Sequence, residues 1–418
     1  MFLKNIHRRM KIALCIILFV FLVIILRVFY IQVIDYKKLN EKASDLWSRN
    51  LPIKADRGLI YDRNGVVLAD NATTTSLVVI PNQIKNKEET ATKLAEILNV
   101  SYDDMYKHVN KKTSIERVHP EGRKLSYEVA DKIKALKLDG VYLVKESQRV
   151  YPYDTHMAHT LGFVGIDNQG LSGIELTYDE YLTGEDGAIK YYSDAKGNKL
   201  SLSEVYEQPQ DGMNITLTIN NEIQTSLERE LSNAVTKYNP DRAIGLVMDP
   251  DTGEILAISA RPTFDPNNYQ DYSLEEINRN LPIWATYEPG STFKIITLAA
   301  ALEEGKVDLE KDTFYDRGSI KVENATIHCW KHGGHGKETF MQVVENSCNP
   351  GFVVLGQRLG KNTLFDYIDS FGFGKKTGVD LNGESSGIIF DRGKVGPVEL
   401  ATTAFGQGVS VTPIHLVV

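Results

Sequence analysis

"YEPGSTFKIITLAAAL" runs from Tyr287 to Leu302, and its order of residues sets the reading of the whole chain. Pro289 and Gly290 stop a helix from extending backwards, whereas the residues after Lys294 are apolar on nearly every side of a helix. The stretch therefore predicts a buried helix that begins at Ser291, inside a domain large enough to enclose it. A serine is a poor nucleophile until an adjacent base takes its proton. Positions i and i+3 share a helical face, which places the Lys294 amine beside the Ser291 hydroxyl. Apolar surroundings disfavour the ammonium and lower its pKa, so the amine can act as that base. The free N–H groups of the first turn can hold a developing oxyanion. Acyl transfer fits this spacing without being singled out by it. A second Ser-x-x-Lys, Ser193 to Lys196, has no apolar helix behind it and reads as a surface turn.

Working outward, a Ser-x-Asn triplet, Ser347, Cys348 and Asn349, stands in "MQVVENSCNPGFVVLGQRLG", between the end of one predicted helix and the start of the next. Another such triplet at residues 48–50 shows that order and context, not the triplet alone, carry the signal. Upstream, residues 215–219 read as a strand leading into a helix capped by Asn220 or Asn221, with Ile223, Leu227 and Leu231 as its apolar face. "AIGLVMDPDTGEILAISARP" then reads as two strands around the turn from Pro250 to Gly253. From Asp211 onward the chain is an α+β domain.

Nearer the N-terminus, alternating apolar residues around Asp62 to Gly65 predict a hairpin, and Leu94, Ile97 and Leu98 give helical spacing within the charge-rich residues 85–137. Near Gln148 the texture changes to Gly and Tyr, with turns and few strands. Residues 12–34 are apolar except for Arg27 and Gln32, and are long enough to span a bilayer core as a helix. No small-residue cleavage site follows, so the segment reads as an uncleaved signal anchor. Lys4, Arg8, Arg9 and Lys11 precede it, which predicts a cytoplasmic tail and an extracytoplasmic body, with Arg27 snorkelling to the outer interface. The organisation expected is a tail over residues 1–11, a membrane anchor over 12–34, a non-catalytic pedestal over 35–210 and a second domain over 211–418.

The composition, 42% apolar and 24% charged, excludes disorder. The net charge of -8 argues against nucleic acid as a partner. Three cysteines cannot build a disulfide framework. Cys15 lies in the anchor, while Cys329 and Cys348 lie outside it and form a candidate redox pair, with two free thiols as the alternative. His328, Cys329, His332 and His335 approach metal-ligand spacing in "IHCWKHGGHG", but no second separated pair follows, so a tight loop without metal is expected. Arg57, Asp62 and Arg63 read as a turn held by ion pairs.

The set "YEPGSTFK", "HCWKHGGHG", "NSCNPGF", "GFGKKTGVDLNGE" and "FGQGVSVTP" closely resembles the transpeptidase domain of class B penicillin-binding proteins. "RGLIYDRNGVVLA" and "RVYPYDTHMAHTLGFVGIDNQGLSGIELTYDEYLTG" resemble the pedestal, or dimerisation domain, of the same family. "HCW" with "SCN" is most similar to its sporulation-specific branch. The resemblance implies a five-stranded antiparallel sheet packed with helices, Ser291 as the acylated nucleophile and Lys294 as its base. It also implies that Ser347 relays a proton to the leaving amine and that Asn349 binds the substrate amide. The implied substrates are the D-Ala-D-Ala stem peptides of peptidoglycan, with beta-lactams as mimics, a polytopic glycan polymerase as partner, and no cofactor. Two other readings share parts of the sequence. A beta-lactamase would need a deacylating base that nothing here marks, and a non-catalytic scaffold would keep only the anchor and pedestal. Lys376, Thr377 and Gly378 spell the third family motif, but their Gly-rich context reads as a decoy turn. The resemblance puts the true strand beyond "GQGVSVTP", so a chain ending at Val418 is expected to lack that wall and to acylate poorly or not at all. His415, where the family has Gln, reads as neutral.

Overall fold

The helix Phe2–Phe29 continues into a π-helical turn, Tyr30–Ile34, and its stretch Ile16–Ile34 is long and apolar enough to cross a membrane. A computed structural model of the chain describes residues 2–39, 48–113, 115–193 and 199–418. Residues 40–47 of the stalk, and Lys196 of the second Ser-x-x-Lys, lie outside the described residues.

Two compact units interleave along the chain. The first comprises residues 1–56, 72–148 and 184–211. In it the strands Ser48–Ile53, Gly187–Ser193 and Lys199–Glu207 form an antiparallel sheet with Gly187–Ser193 in the centre. Its core gathers Leu77, Val79, Leu94, Met105 and Val118. Leu94 is fully buried on the helix Lys87–Leu98, which starts where the Asn86 side chain accepts the Glu89 N–H.

The second unit comprises residues 57–71, 149–183 and 212–418. Its first segment is the expected hairpin. Ile60 and Tyr61 pair with Ala69 and Val67, and the Asp62 carboxylate accepts the N–H groups of Asn64 and Val66 to close the turn. Ile215–Thr216 adds to the same hairpin in parallel. The helix Asn221–Tyr238 (α1) is capped by Asn220, whose side chain accepts the N–H groups of Glu222 and Ile223. The strands Ala243–Met248 (β1) and Ile255–Arg261 (β2) pair antiparallel, with Gly253 at φ +74° in the turn between them. Among the described residues, this pair stands for the five antiparallel strands that the family likeness implies.

The buried face of α1 differs from the apolar row read from the sequence. Leu231 is buried, but Gln224 and Glu228 are buried with it, while Ile223 and Leu227 are half-buried. The reason is hydrogen bonding along β2: the Gln224 amide accepts the Ile258 N–H at 2.8 Å and donates to the Ile258 carbonyl at 3.1 Å and to Glu228 at 2.9 Å. A side chain thus satisfies a buried strand position in place of a neighbouring strand.

The helices Lys294–Glu303 (α2), Phe340–Glu345 (α3), Asn349–Ser370 (α4) and Pro397–Thr403 (α5) enclose the larger core of this unit. Phe293, Ala300, Phe340, Val353 and Leu355 are fully buried there. Between α2 and α3 the chain makes four short strands, Thr313–Asp316 (β3), Ser319–Val322 (β4), Ala325–His328 (β5) and Gly336–Thr339 (β6), paired as β3 with β6 and β4 with β5.

Candidate active site

Gly290 takes φ +58°, and residues Gly290–Phe293 form a single 3-10 turn that runs directly into α2. Fully buried Phe293 anchors the turn with its ring centroid 5.2 Å from that of Phe373. From behind, the Gly290 N–H donates to the Gly406 carbonyl at 2.9 Å. A Cβ on Gly406 would lie 2.2 Å from the Gly290 oxygen, so only glycine lets these two backbones approach. Ser291 is left exposed at the surface of the turn.

Lys294, three residues on, is 4% exposed. Its Nζ donates to the Ser347 carbonyl at 2.8 Å, to Ser347 Oγ at 2.9 Å and to Asn349 Oδ1 at 2.7 Å, so three acceptors match the three protons of an ammonium. The Phe352 ring lies 5.1 Å from the same nitrogen. Burial lowers the Lys294 pKa to about 8, against the opposing influence of Cys348 and Cys329. The link to Ser291 is indirect: the Ser347 hydroxyl donates to Ser291 Oγ at 3.0 Å. The i, i+3 spacing alone placed the amine beside Ser291. The chain of bonds instead runs Ser291, Ser347, Lys294, because the second motif supplies the acceptors that orient the amine.

Ser347 sits between α3 and α4 at φ +50°, a left-handed conformation uncommon for a residue other than glycine. The Ser347 and Cys348 N–H groups bond back to Val344 and Val343, and Pro350 lies in the first turn of α4. This tight exit from α3 aims the hydroxyl at Ser291. Asn349 Nδ2 makes a long bond, 3.5 Å, to the His328 carbonyl. Trp330, 68% exposed, donates its indole N–H to the Asn346 carbonyl.

Behind the triplet lies a second cluster. Asp316, Cys329, His335 and Cys348 each present one donor atom, and the four atoms lie within 4.8 Å of one another. Cys329 and Cys348 are free, buried thiols, and burial raises the pKa of both. Burial pushes the Asp316 carboxyl up, but hydrogen bonds from Cys329, the Gly318 N–H and His335 outweigh it and bring its pKa down to about 2. His328 and His332, grouped with Cys329 by their spacing, are exposed. Asp316 was not legible as a partner of Cys329 and His335, since the pairing of β3 with β6 brings it to His335, and the pairing of β4 with β5, with the Cys329 N–H on the Gly318 carbonyl, brings it to Cys329.

Lys376, Thr377 and Gly378 lie in irregular chain, where the Thr377 N–H and hydroxyl each donate to Glu384 at 2.6 Å and the Gly378 N–H donates to it at 3.3 Å. His415 accepts from Thr412 at Nδ1 and donates from Nε2 to the Lys375 carbonyl at 2.6 Å, so it props this same loop.

Comparison with known proteins gives this geometry a family. Residues 243–418 match the penicillin-binding protein transpeptidase domain, and residues 52–217 match the penicillin-binding protein dimerisation domain. The peptidoglycan D,D-transpeptidase FtsI of Buchnera aphidicola is 32% identical over 411 residues, covering 97% of this chain and 71% of that protein. The chain is a class B penicillin-binding protein. Among the relatives of this penicillin-binding protein, stage V sporulation protein D of Bacillus subtilis is 54% identical over 414 residues, covering 99% of the chain. The chain spans 64% of the length of that relative. Penicillin-binding protein 2X of Streptococcus thermophilus shares the fold with a TM-score of 0.68 at 28% identity, over 88% of this chain and 58% of that one. A peptidoglycan synthetase of Bifidobacterium adolescentis gives the same TM-score at 26% identity, over 88% of this chain and 71% of that one.

Proposed function

We propose that this chain carries the acylating centre of a membrane-anchored D,D-transpeptidase that cross-links peptidoglycan stem peptides, in a sporulation-related setting. The observation that supports it most directly is the hydrogen-bonded path from Ser291 through Ser347 to a buried amine whose pKa burial lowers to about 8. With Lys294 neutral, Ser291 Oγ attacks the carbonyl of the D-Ala-D-Ala bond. Its proton moves to Ser347 as the proton of Ser347 moves to Lys294 Nζ. The same path run in reverse protonates the departing D-alanine amine, the C–N bond breaks, and an acyl-serine remains. An amine of a second stem peptide then attacks the ester, forms the new amide and returns the serine hydroxyl. Asn349 Oδ1 is committed to Lys294 and one Nδ2 proton makes the long bond to the His328 carbonyl, which leaves the second Nδ2 proton to donate to the substrate backbone. Beta-lactams enter as mimics of the same acyl donor. These groups supply the chemistry without an organic cofactor. The basic residues Lys4 to Lys11 keep the tail cytoplasmic and the catalytic body outside, with a polytopic glycan polymerase as the partner of anchor and pedestal.

Intact mass measured after incubation with benzylpenicillin tests the reading. Over a long incubation at high penicillin the unaltered chain, read as a poor acylator, should gain one adduct slowly and on Ser291, and Ser291→Ala should gain none. An adduct on another residue, or one that survives in Ser291→Ala, would overturn the assignment.

A further inference from the structure

We propose that Asp316, Cys329, His335 and Cys348 form a structural zinc site that holds the Ser347-Cys348-Asn349 triplet in place. The site itself is independent of the transpeptidase reading, and only its consequence for Ser347 rests on it.

Three of the six edges between the ligand atoms match those of a tetrahedron, and all six are within 4.8 Å. His335 Nδ1 lies 3.0 Å from Asp316 Oδ2, Cys329 Sγ lies 3.5 Å from His335 Nδ1, and Cys348 Sγ lies 3.4 Å from Asp316 Oδ2. Zinc bonds of about 2.3 Å to sulfur and about 2.0–2.1 Å to nitrogen or oxygen give tetrahedral edges of about 3.3 Å between N and O and about 3.5 Å between S and either. Two thiolates, an imidazole and a carboxylate are a donor set suited to zinc, and four protein ligands make the site a closed, structural one.

Without a cation the cluster is poorly satisfied. Asp316 Oδ2 is approached by the His335 N–H, by His335 Nδ1 and by the Cys348 thiol together, more donors than one oxygen accommodates well. Asp316 and Glu338 are buried carboxylates, 1% and 4% exposed, and among the described residues the basic group within ion-pair distance of either is His335. His335 Nε2 and Glu338 Oε2 are buried without a hydrogen-bond partner. A divalent cation at the centre replaces the contacts to Nδ1 and the Cys348 thiol with ligation. Both thiols release their protons to solvent on binding.

The ligands come from separate segments. Asp316 ends β3, Cys329 follows β5, His335 precedes β6 in a loop bent by Gly333 and Gly334, and Cys348 lies inside the catalytic triplet. A Cβ on Gly334 would fall 2.3 Å from the Gly318 nitrogen, so the loop closes over the cluster only with glycine there. Zinc bound at Cys348 ties the left-handed turn at Ser347 to three strands, and it keeps the two thiols from joining each other.

The test uses the full chain, purified in detergent under reducing conditions without chelator. Metal analysis should find about one zinc per chain. Cobalt(II) added to the chelator-stripped protein should give the intense ligand-field bands of a tetrahedral ion and a thiolate charge-transfer band. His335→Gln and Asp316→Asn should lose the zinc, whereas His332→Gln, whose side chain is exposed outside the cluster, should keep it. Absence of tetrahedral cobalt bands in the stripped wild type, or equal zinc in His335→Gln and His332→Gln, would overturn the site. The cobalt titration uses the unaltered sequence, so misfolding of a variant cannot imitate that result. The penicillin adduct on Ser291 is read separately, and the two proposals fail independently.

Discussion

At Lys294 two demands compete. Burial removes water from the amine and lowers its pKa to about 8, while three acceptors hold it in one orientation. A base of this kind works in its neutral form, so the acylation rate should climb with pH, pass its midpoint near 8 and level off above it. Ser347→Gly sharpens the test. Glycine accepts the left-handed backbone at φ +50° without strain, so folding should hold or improve, yet the hydroxyl that joins Ser291 to Lys294 is gone. Acylation should then fall by about 10² to 10⁴ at every pH, with the melting temperature kept. A variant acylating at the wild-type rate would remove Ser347 from the proton path. Ser291, Lys294, Ser347 and Asn349 were legible as motif residues, and the structure brings them together. The route between them was not legible, because spacing on a helix fixes which side chains are neighbours but not which hydrogen-bond partners they share.

At the scale of elements, hydropathy patterning found the hairpin β1–β2 and the helix α1, but it misassigned the inner face of α1. Periodicity counts apolar residues, and Gln224 is buried for a polar reason: its amide completes both hydrogen bonds of Ile258, itself 1% exposed. Nothing in the local sequence signals that β2 needs a partner on that side. Gln224→Leu keeps the side-chain size and removes both bonds, leaving a buried N–H and a buried carbonyl unpaired at about 1–3 kcal/mol each. Chemical denaturation should show that loss as a lower midpoint with an unchanged slope, whereas Thr225→Ala, one position along on the exposed face, should change little. Equal stability of Gln224→Leu and the wild type would mean that water replaces the amide. The helix α2 was legible for the opposite reason, since a run apolar on nearly every side has no alternative but burial.

On the scale of the whole molecule, residues 57–71, 149–183 and 212–418 converge into one unit although other segments separate them. The texture changes near Gln148 and Asp211 coincide with crossings between units, but the return at residues 57–71 has no compositional mark. What joins the first two segments is a buried charge cluster. Glu175 accepts the Arg57 Nε on one oxygen and the Arg149 Nε on the other, each at 2.6 Å, with all three side chains 0–2% exposed. Arg57 also reaches Asp179 and the Glu175 carbonyl, and Arg149 reaches the Gly58 carbonyl. The ion-pair turn read around Arg57, Asp62 and Arg63 thus divides into unlike parts: Asp62 serves backbone N–H groups, and Arg63 makes a half-exposed pair with Glu254 at 3.3 Å. Desolvation makes such a cluster a weak source of net stability but a costly one to break, since removing the shared acid strands two buried guanidinium groups. Glu175→Gln should therefore destabilise this unit by about 3–5 kcal/mol. Arg63→Ala should cost about 0–1 kcal/mol, as exposed pairs do. Salt separates the two mechanisms further: the Arg63 effect should shrink as ionic strength screens an exposed pair, while the Glu175 effect should persist. Thermal melts at low and high salt measure both, and a Glu175→Gln protein as stable as Arg63→Ala would show that the interleaved segments are held by their apolar contacts alone.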